Sequence, residues 1–276
     1  MRWLRMIGSS LLFVVLTLLT QTGGIVFLFS LCFYGIVERT FTNKILRVSA
    51  KVFIFCALYF LSVVLVNPLL ARQFGRAALP VLNNASLKPA TVWTWLLNRH
   101  YVRPEMEGVV LSVASRLSQE SPGTVVNYLD ASFPYIDNFP LPPHLSHKDG
   151  RKVDLSFMYV DAETGVPTDE IPSIIGYGVC EPPLAGEEDR PNDCMQKGYW
   201  QYNLLQQIVP DGTKPNLLFD EARTSRLIKL LAADPAVGKI FIEPHLKTRL
   251  RLASPKVRYH GCQAVRHDDH VHIQLR

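Results

Sequence analysis

The chain has 276 residues, 48% of them hydrophobic, and 29 Lys and Arg face 24 Asp and Glu. The net charge of +5 is scattered and forms no block of one sign, which excludes the usual signature of a nucleic-acid groove. The apolar residues crowd into the first quarter of the chain, and the remainder is long enough for one soluble domain with a sizeable core. A membrane segment followed by one domain is therefore expected.

Two stretches near the N-terminus, residues 7–37 and 52–71, contain no charged side chain. Each is long enough to cross a hydrocarbon core of ~30 Å, which predicts two transmembrane segments within residues 1–71. A secretory signal peptide is the alternative, but its apolar region is only about 7–15 residues long. The first run exceeds one span and is interrupted by Gln21, Thr22, Gly23 and Gly24, so it forms either one long tilted helix or a broken one.

The charges that flank these runs bear on orientation. Glu38 is outweighed in the short loop between the runs by Arg39, Lys44, Arg47 and Lys51. A short loop with excess Lys and Arg stays in the cytoplasm, which predicts that the C-terminal domain lies outside. With only two spans, however, Arg2 and Arg5 at the N-terminus favour the opposite orientation.

Beyond the membrane runs, the pattern predicts a linker or stalk over residues 72–88 and two helices, residues 90–99 and 105–119, which together form a connector over 72–123. The domain proper is expected over 124–276. Its strands are predicted at 124–130, 153–161, 238–243 and 270–275, and its helices at 199–209, 220–233 and after Pro244. Strands and helices without a regular alternation predict an α+β fold on a mainly antiparallel sheet.

Three cysteines lie in the soluble part. Cys180 and Cys194 bracket a loop rich in Pro, Gly and acidic residues, which a disulfide would close in an oxidising compartment. Cys262 is then left over, and it either takes one of those two as its partner or remains a buried thiol.

Six of the eight histidines fall into two short clusters. In the last predicted strand, His270 and His272 share one face, while Val271 and Ile273 point to the other, because side chains alternate with period two. Residues that are neighbours on one face stand about 6.5–7 Å apart, so one imidazole can bind a metal while the next reaches a group bound to that metal.

The first cluster supplies further ligands. After His147 the chain turns at Lys148, Asp149 and Gly150 and returns as a strand that begins near Asp154. His147 and Asp154 can therefore converge. Two imidazoles and one carboxylate leave a tetrahedral Zn²⁺ one open position, which is typical of catalytic rather than structural zinc.

The pattern H-x-x-H-x6-D at His144, His147 and Asp154, followed by H-x-x-H-x-H near the C-terminus, resembles the penicillin-insensitive murein endopeptidases. These belong to a larger group of zinc metallopeptidases, the LAS type, that includes lysostaphin, the D-Ala-D-Ala metallopeptidases and the hedgehog domain. The resemblance covers residues 129–276 and excludes the membrane runs. The D-Ala-D-Ala enzymes have Glu where this chain has His267, which favours the endopeptidase branch.

The resemblance implies a site and an activity. His147, Asp154 and His272 would bind zinc, His270 would act on the reacting water or the oxyanion, and His144 and His267 would line and orient the site. The substrate would be the peptide crosslinks of peptidoglycan, at the D-alanyl to meso-diaminopimelyl bond, cleaved in the periplasm by a protein anchored in the bacterial inner membrane.

Two other functions fit the same residues. A D,D-carboxypeptidase of the same fold would trim stem peptides. A noncatalytic wall-binding or signalling module would keep the zinc without hydrolysis, because a fold does not by itself fix a function.

Overall fold

The computed structural model describes residues 2–204, 209 and 216–276. It begins with three long helices, α1 (Arg2–Thr20), α2 (Gly23–Thr40) and α3 (Lys44–Leu61). The last of these continues through a π-helical turn, Ser62–Val66, into α4 (Asn67–Ala71) and a 3₁₀ turn, Arg72–Phe74.

The first apolar run is broken. Gln21 adopts a left-handed backbone conformation with φ of 65°, and the chain reverses there. A Cβ added at Gly24 would lie 2.0 Å from Thr17 Oγ1 and 2.9 Å from the ring of Phe13, so only glycine lets α1 and α2 approach this closely. The two helices form an antiparallel hairpin whose tip is residues 20–22.

The second reversal follows α2. Asn43 caps α3 by accepting hydrogen bonds from the N–H groups of Ile45 and Leu46. Between α2 and α3, the rings of Phe27 and Phe55 lie 6.3 Å apart. Two helices of this region, Gly23–Thr40 and Lys44–Phe74, are long and apolar enough to cross a membrane, while the apolar part of α1, Met6–Thr20, is shorter.

The rest of the chain is mixed helix and sheet, as predicted. Its strands are β1 (Ala77–Ala78), β2 (Leu87–Pro89), β3 (Tyr101–Val102), β4 (Val126–Tyr128), β5 (Lys152–Ser156), β6 (Tyr159–Asp161), β7 (Pro167–Thr168), β8 (Leu217–Phe219), β9 (Val237–Phe241), β10 (Val257–Arg258) and β11 (His270–Leu275). The main sheet has the order β10-β9-β11-β5-β4-β2, and its three central pairings are antiparallel. β1 pairs with β3, and β7, β6 and β8 form a third sheet.

The remaining helices are α5 (Val92–Leu96), α6 (Pro104–Glu120), α7 (Arg190–Gln196), α8 (Glu221–Ala233) and α9 (Pro244–Arg249). The apolar faces of α6 and α8 pack on one face of the main sheet, against Val153, Val271 and Ile273 among others. The side chains of β11 alternate as predicted, so its histidines point away from this core. The predicted helix at 199–209 lies partly outside the described residues; within them, Trp200–Asn203 forms a 3₁₀ turn.

The predicted stalk at residues 72–88 is wrong. β2 is an edge strand of the main sheet, paired with β4, and both Leu79 and Leu87 are fully buried in the core. The guanidinium group of Arg76 is buried as well, where it pairs with Asp137. The helix predicted at 105–119 also packs in this core, so the segment 72–123 belongs to the domain rather than connecting it to the membrane.

The structure decides between the disulfide pairings that the sequence left open. Cys194 is bonded to Cys262, 68 residues further along the chain, and Cys180 is a half-buried free thiol. The disulfide ties α7 to the segment that follows β10.

Removing this disulfide should destabilise the domain. Because it closes a loop of 68 residues, we expect the pair of substitutions Cys194→Ser and Cys262→Ser to lower the free energy of unfolding by about 2–4 kcal/mol. Thermal unfolding of the purified full-length chain measures this change. Cys180→Ser is the matched control and should leave the midpoint unchanged; equal losses in both proteins would contradict the pairing.

Candidate metal centre

Three ligand atoms converge between the two central strands of the main sheet. His272 on β11 lies opposite Asp154 on β5 in the antiparallel register. His272 Nδ1 is 2.8 Å from Asp154 Oδ1 and 3.1 Å from His147 Nε2, and the latter is 3.2 Å from the same carboxylate oxygen. Neighbouring ligands of a tetrahedral ion with bonds of 2.0–2.1 Å stand about 3.3 Å apart, so the triangle is close to the size of a metal site.

The backbone fixes the tautomer of His147. Its Nδ1 lies 2.9 Å from the carbonyl oxygen of Ala131, which can only accept a hydrogen bond. Nδ1 therefore carries the proton, and Nε2 keeps its lone pair for a metal. The turn that follows, at Gly150, has φ of 71° and packs against Arg76, which favours glycine and returns the chain into β5.

A tyrosine orients the carboxylate. The hydroxyl of Tyr177 donates a hydrogen bond of 2.8 Å to Asp154 Oδ2 and accepts one of 3.1 Å from the N–H of Asp130. The bond occupies Oδ2 and leaves Oδ1 facing the two imidazoles. Both side chains are buried, so no water competes for this contact.

His144, His147 and Asp154 also form a buried group that could bind a metal ion. His144 Nδ1, however, lies between two carboxylates, 3.1 Å from Asp154 Oδ2 and 3.3 Å from Asp130 Oδ2. Burial lowers the pKa of His144, but these two carboxylates outweigh it and raise the pKa to about 10. A protonated imidazole has no lone pair for a metal, which favours His272 as the third ligand and His144 as a neighbour that lines the site.

His270 is held in place by Asp269. Its Nδ1 bonds Asp269 Oδ1, and Asp269 Oδ2 accepts a hydrogen bond of 2.7 Å from the N–H of Gly178. The Nε2 atom of His270 is buried, 3.7 Å from Asp154 Oδ1, and has no hydrogen-bond partner among the residues that the structure describes. Burial lowers the pKa of His270, but Asp269 and Asp154 reverse this effect and leave the pKa raised.

His267 completes the imidazole cluster. Its ring centroid lies 5.0 Å from that of His270 and 5.6 Å from that of His272. Burial, followed by the neighbouring imidazoles, places the pKa of His267 well below its usual value, so this ring is neutral. Its backbone N–H donates a hydrogen bond to buried Glu243, which fixes its position.

All six predicted site residues line one cavity of about 340 Å³. Its wall also includes Gln201, Gln263 and His260, and it opens at the exposed side chain of Leu145. The cavity is large enough to admit part of a peptide.

The carboxylate and the imidazoles of the cluster shift one another's pKa values. Burial alone would raise the pKa of Asp154, but the surrounding imidazoles His147, His270 and His272 bring it well below its ordinary value. Burial also dominates at His272 and lowers its pKa to about 4 although Asp154 opposes it. An ionised carboxylate beside a neutral imidazole is the protonation state that a divalent metal requires.

The sequence alone did not identify Tyr177 or Asp130. Asp268 is fully buried and pairs with Arg266. Its neighbour Asp269 is the one that contacts an imidazole. The motif contains two adjacent carboxylates, Asp268 and Asp269. Which of them contacts an imidazole depends on the register of the strand.

No protein-family model matches the chain, and no curated protein matches it.

Proposed function

We propose that this chain is a zinc-dependent murein endopeptidase that cleaves peptide crosslinks of peptidoglycan, with the D-alanyl to meso-diaminopimelyl bond as its substrate. The observation that carries the proposal is the triangle of His147, Asp154 and His272, whose ligand atoms lie 2.8–3.2 Å apart beside the free Nε2 atom of His270. The resemblance in spacing to the murein endopeptidases supplies the substrate class.

The donor set suits zinc. Two imidazole nitrogens and one carboxylate oxygen are the ligands of catalytic zinc sites, and each is supported by a further hydrogen bond or packing contact. When bound, zinc polarises a carbonyl group and lowers the pKa of water to about 7.

The other residues have separate tasks. With Nδ1 bonded to Asp269, His270 presents Nε2 to the cavity, and in its neutral form Nε2 accepts a proton from the attacking water and returns it to the leaving amine. Protonated His144 places a positive charge beside the cavity, where it stabilises a developing oxyanion. Tyr177 keeps Asp154 in the orientation that the metal needs.

The helical hairpin supports a position of the chain in the membrane. If α1, α2 and α3 all cross the bilayer, the N-terminus and the loop after α2 lie on one side and the domain on the other. Arg2 and Arg5 then lie on the same side as Arg39 and Lys44, and the conflict that two spans created disappears. This arrangement, with the disulfide between Cys194 and Cys262, supports a domain in the periplasm of a bacterial inner-membrane protein.

Reporter fusions test this orientation. Alkaline phosphatase fused after Arg276 should be active, because it folds only where its disulfides form. The same enzyme fused after Phe41, in the loop between α2 and α3, should be inactive. The reverse pattern would contradict both the orientation and the substrate.

The activity itself is tested with crosslinked dimeric muropeptides and the full-length protein in detergent. Mass analysis should find two monomers whose combined mass exceeds that of the dimer by one water. Release of a single D-alanine would instead identify a D,D-carboxypeptidase. Binding without any product would identify a noncatalytic module.

A further inference from the structure

The length of α3 and α4 places the outer membrane boundary. The charge-free run 52–71 contains twenty residues, which as a helix span about 30 Å, the thickness of the hydrocarbon core. Its upper end is Ala71. The tip of the α1–α2 hairpin reaches only to Asn67, whose Nδ2 atom lies 3.5 Å from Thr22 Oγ1. The tip of the hairpin therefore lies near this boundary, about 6 Å from the level of Ala71.

One element of the domain, α5, contacts the membrane helix α3 below the level of Asn67. The ring of Trp95 on α5 lies 6.0 Å from that of Phe60 on α3, and the carbonyl of Leu96 accepts a hydrogen bond of 2.6 Å from the hydroxyl of Tyr59. Phe60 stands eleven positions before Ala71, which is about 16 Å of helix. α5 thus lies beside the apolar part of α3.

The outer face of α5 is apolar. Val92 is 53% exposed, Trp93 57% and the adjoining Ile174 68%. Together with Ile171 they line a shallow surface cavity between α5 and the loop 171–175. We call α5 and this loop the foot of the domain. Exposed apolar side chains that cluster in this way mark a surface that is covered by a partner.

Polar groups between α5 and the tip of the α1–α2 hairpin are arranged differently. Asn98, directly after α5, is fully buried and bonds Thr22, the carbonyl of Thr20 and the side chain of Asn67. Asn67 in turn accepts a hydrogen bond from the hydroxyl of Tyr135. Polar side chains that are buried and bonded to one another, with apolar ones outside, are the arrangement that a hydrocarbon environment demands.

We infer that the foot is immersed in the outer leaflet, with Val92, Trp93 and Ile174 in contact with the acyl chains of the lipid. The continuity of the foot with the membrane helix α3 identifies lipid, rather than a protein, as its occupant. The inference rests on the membrane placement proposed above but goes beyond it, since it concerns the domain itself.

The immersed loop leads directly to the metal centre. Three residues after Ile174 the chain supplies Tyr177, which holds Asp154, and then Gly178, whose N–H holds Asp269. Lipid contact therefore positions the segment that orients both the ligand carboxylate and His270.

Tryptophan fluorescence of the full-length protein, reconstituted in phosphatidylcholine bilayers, tests the inference. One variant keeps only Trp93, with Trp3, Trp95 and Trp200 replaced by Phe. A second variant lacks all four native tryptophans and carries Ile174→Trp, so that the result does not depend on how one variant folds. In lipids with brominated acyl chains, each should lose about half of the emission measured in unbrominated lipids.

Two controls make the result decisive. A variant with Phe29→Trp as its only tryptophan, in α2, should be quenched by brominated lipid if the helices cross the bilayer at all. A variant that keeps only Trp200 should not be quenched, because Trp200 follows α7, which is tied by the disulfide to the sheet edge opposite β2.

The outcomes separate cleanly. Quenching at position 29 but not at 93 and 174 would overturn the inference: the foot would then face water if acrylamide quenches it, and another protein if acrylamide does not. Absence of quenching at position 29 would overturn the membrane placement, and the immersed foot with it.

Discussion

Replacing His270 with Ala should lower the turnover of crosslinked muropeptide about 10²–10⁴-fold and leave the zinc content unchanged. The reason is that His270 and His272, which both lie on β11, have different roles. His270 Nε2 has no hydrogen-bond partner, and its Nδ1 is bonded to Asp269 rather than to the ligand triangle. Its loss therefore removes a proton carrier but no metal ligand. Steady-state kinetics and metal analysis of the same preparation measure both quantities.

His272→Ala is the matched variant, two residues away on the same face of the same strand. It should lose zinc and hydrolysis together, because His272 Nδ1 faces both Asp154 and His147. If His270→Ala releases zinc as completely as His272→Ala does, both are ligands, and the proposed mechanism is wrong. If the wild type has no turnover while both variants still bind wall material, the chain is a binding module.

Replacing Asp154 with Ala should remove most of the zinc, about one ion per chain in the wild type, and with it the activity. Asp154 supplies the only carboxylate of the triangle and contacts four of the five site imidazoles. Metal analysis of the folded variant measures the loss directly. Unchanged zinc in that protein would mean that the site lies elsewhere.

A milder change, at a residue that contacts the same carboxylate, gives the control. Tyr177→Phe keeps the ring that packs between His144 and His270 but removes the hydrogen bond to Asp154 Oδ2. Zinc affinity should fall about 10–100-fold, the usual effect of losing a group that orients a ligand. A competition titration with a chelator of known affinity reads this change.

The ligand-bearing strands could be predicted from the sequence because they obey short-range rules. β11 alternates strictly, so the placement of His270 and His272 on one face and Ile273 in the core needed only the period of a strand. The turn after His147 contains Gly150, and the return of the chain toward Asp154 followed from it. Both predictions depend only on residues that are close together in the sequence.

Contacts between distant segments could not be predicted in the same way. Gly178 and Asp269, which are hydrogen-bonded, are 91 positions apart in the sequence, and the disulfide-bonded Cys194 and Cys262 are 68 apart. Cys180 was the nearer candidate for Cys194, because only thirteen residues separate the two. Loop-closure entropy grows slowly with length, so proximity in sequence is a weak guide to disulfide pairing. β2 was missed because its three residues include Pro89, which strands normally exclude except at an edge.

The network around Asn98 has a consequence for how the protein can be divided. Many membrane-anchored enzymes are modular: the anchor is cut away, or exchanged for another, and the catalytic part folds unchanged. In this chain Gln21, at the tip of the hairpin, accepts hydrogen bonds from the N–H groups of Tyr135 and Ile136, and Leu79 and Leu87 complete the core from the segment after α4. A fragment that begins near residue 88 would lack these parts of its own interior. The anchor is thus not an interchangeable accessory, and biochemical work on this protein calls for the intact chain.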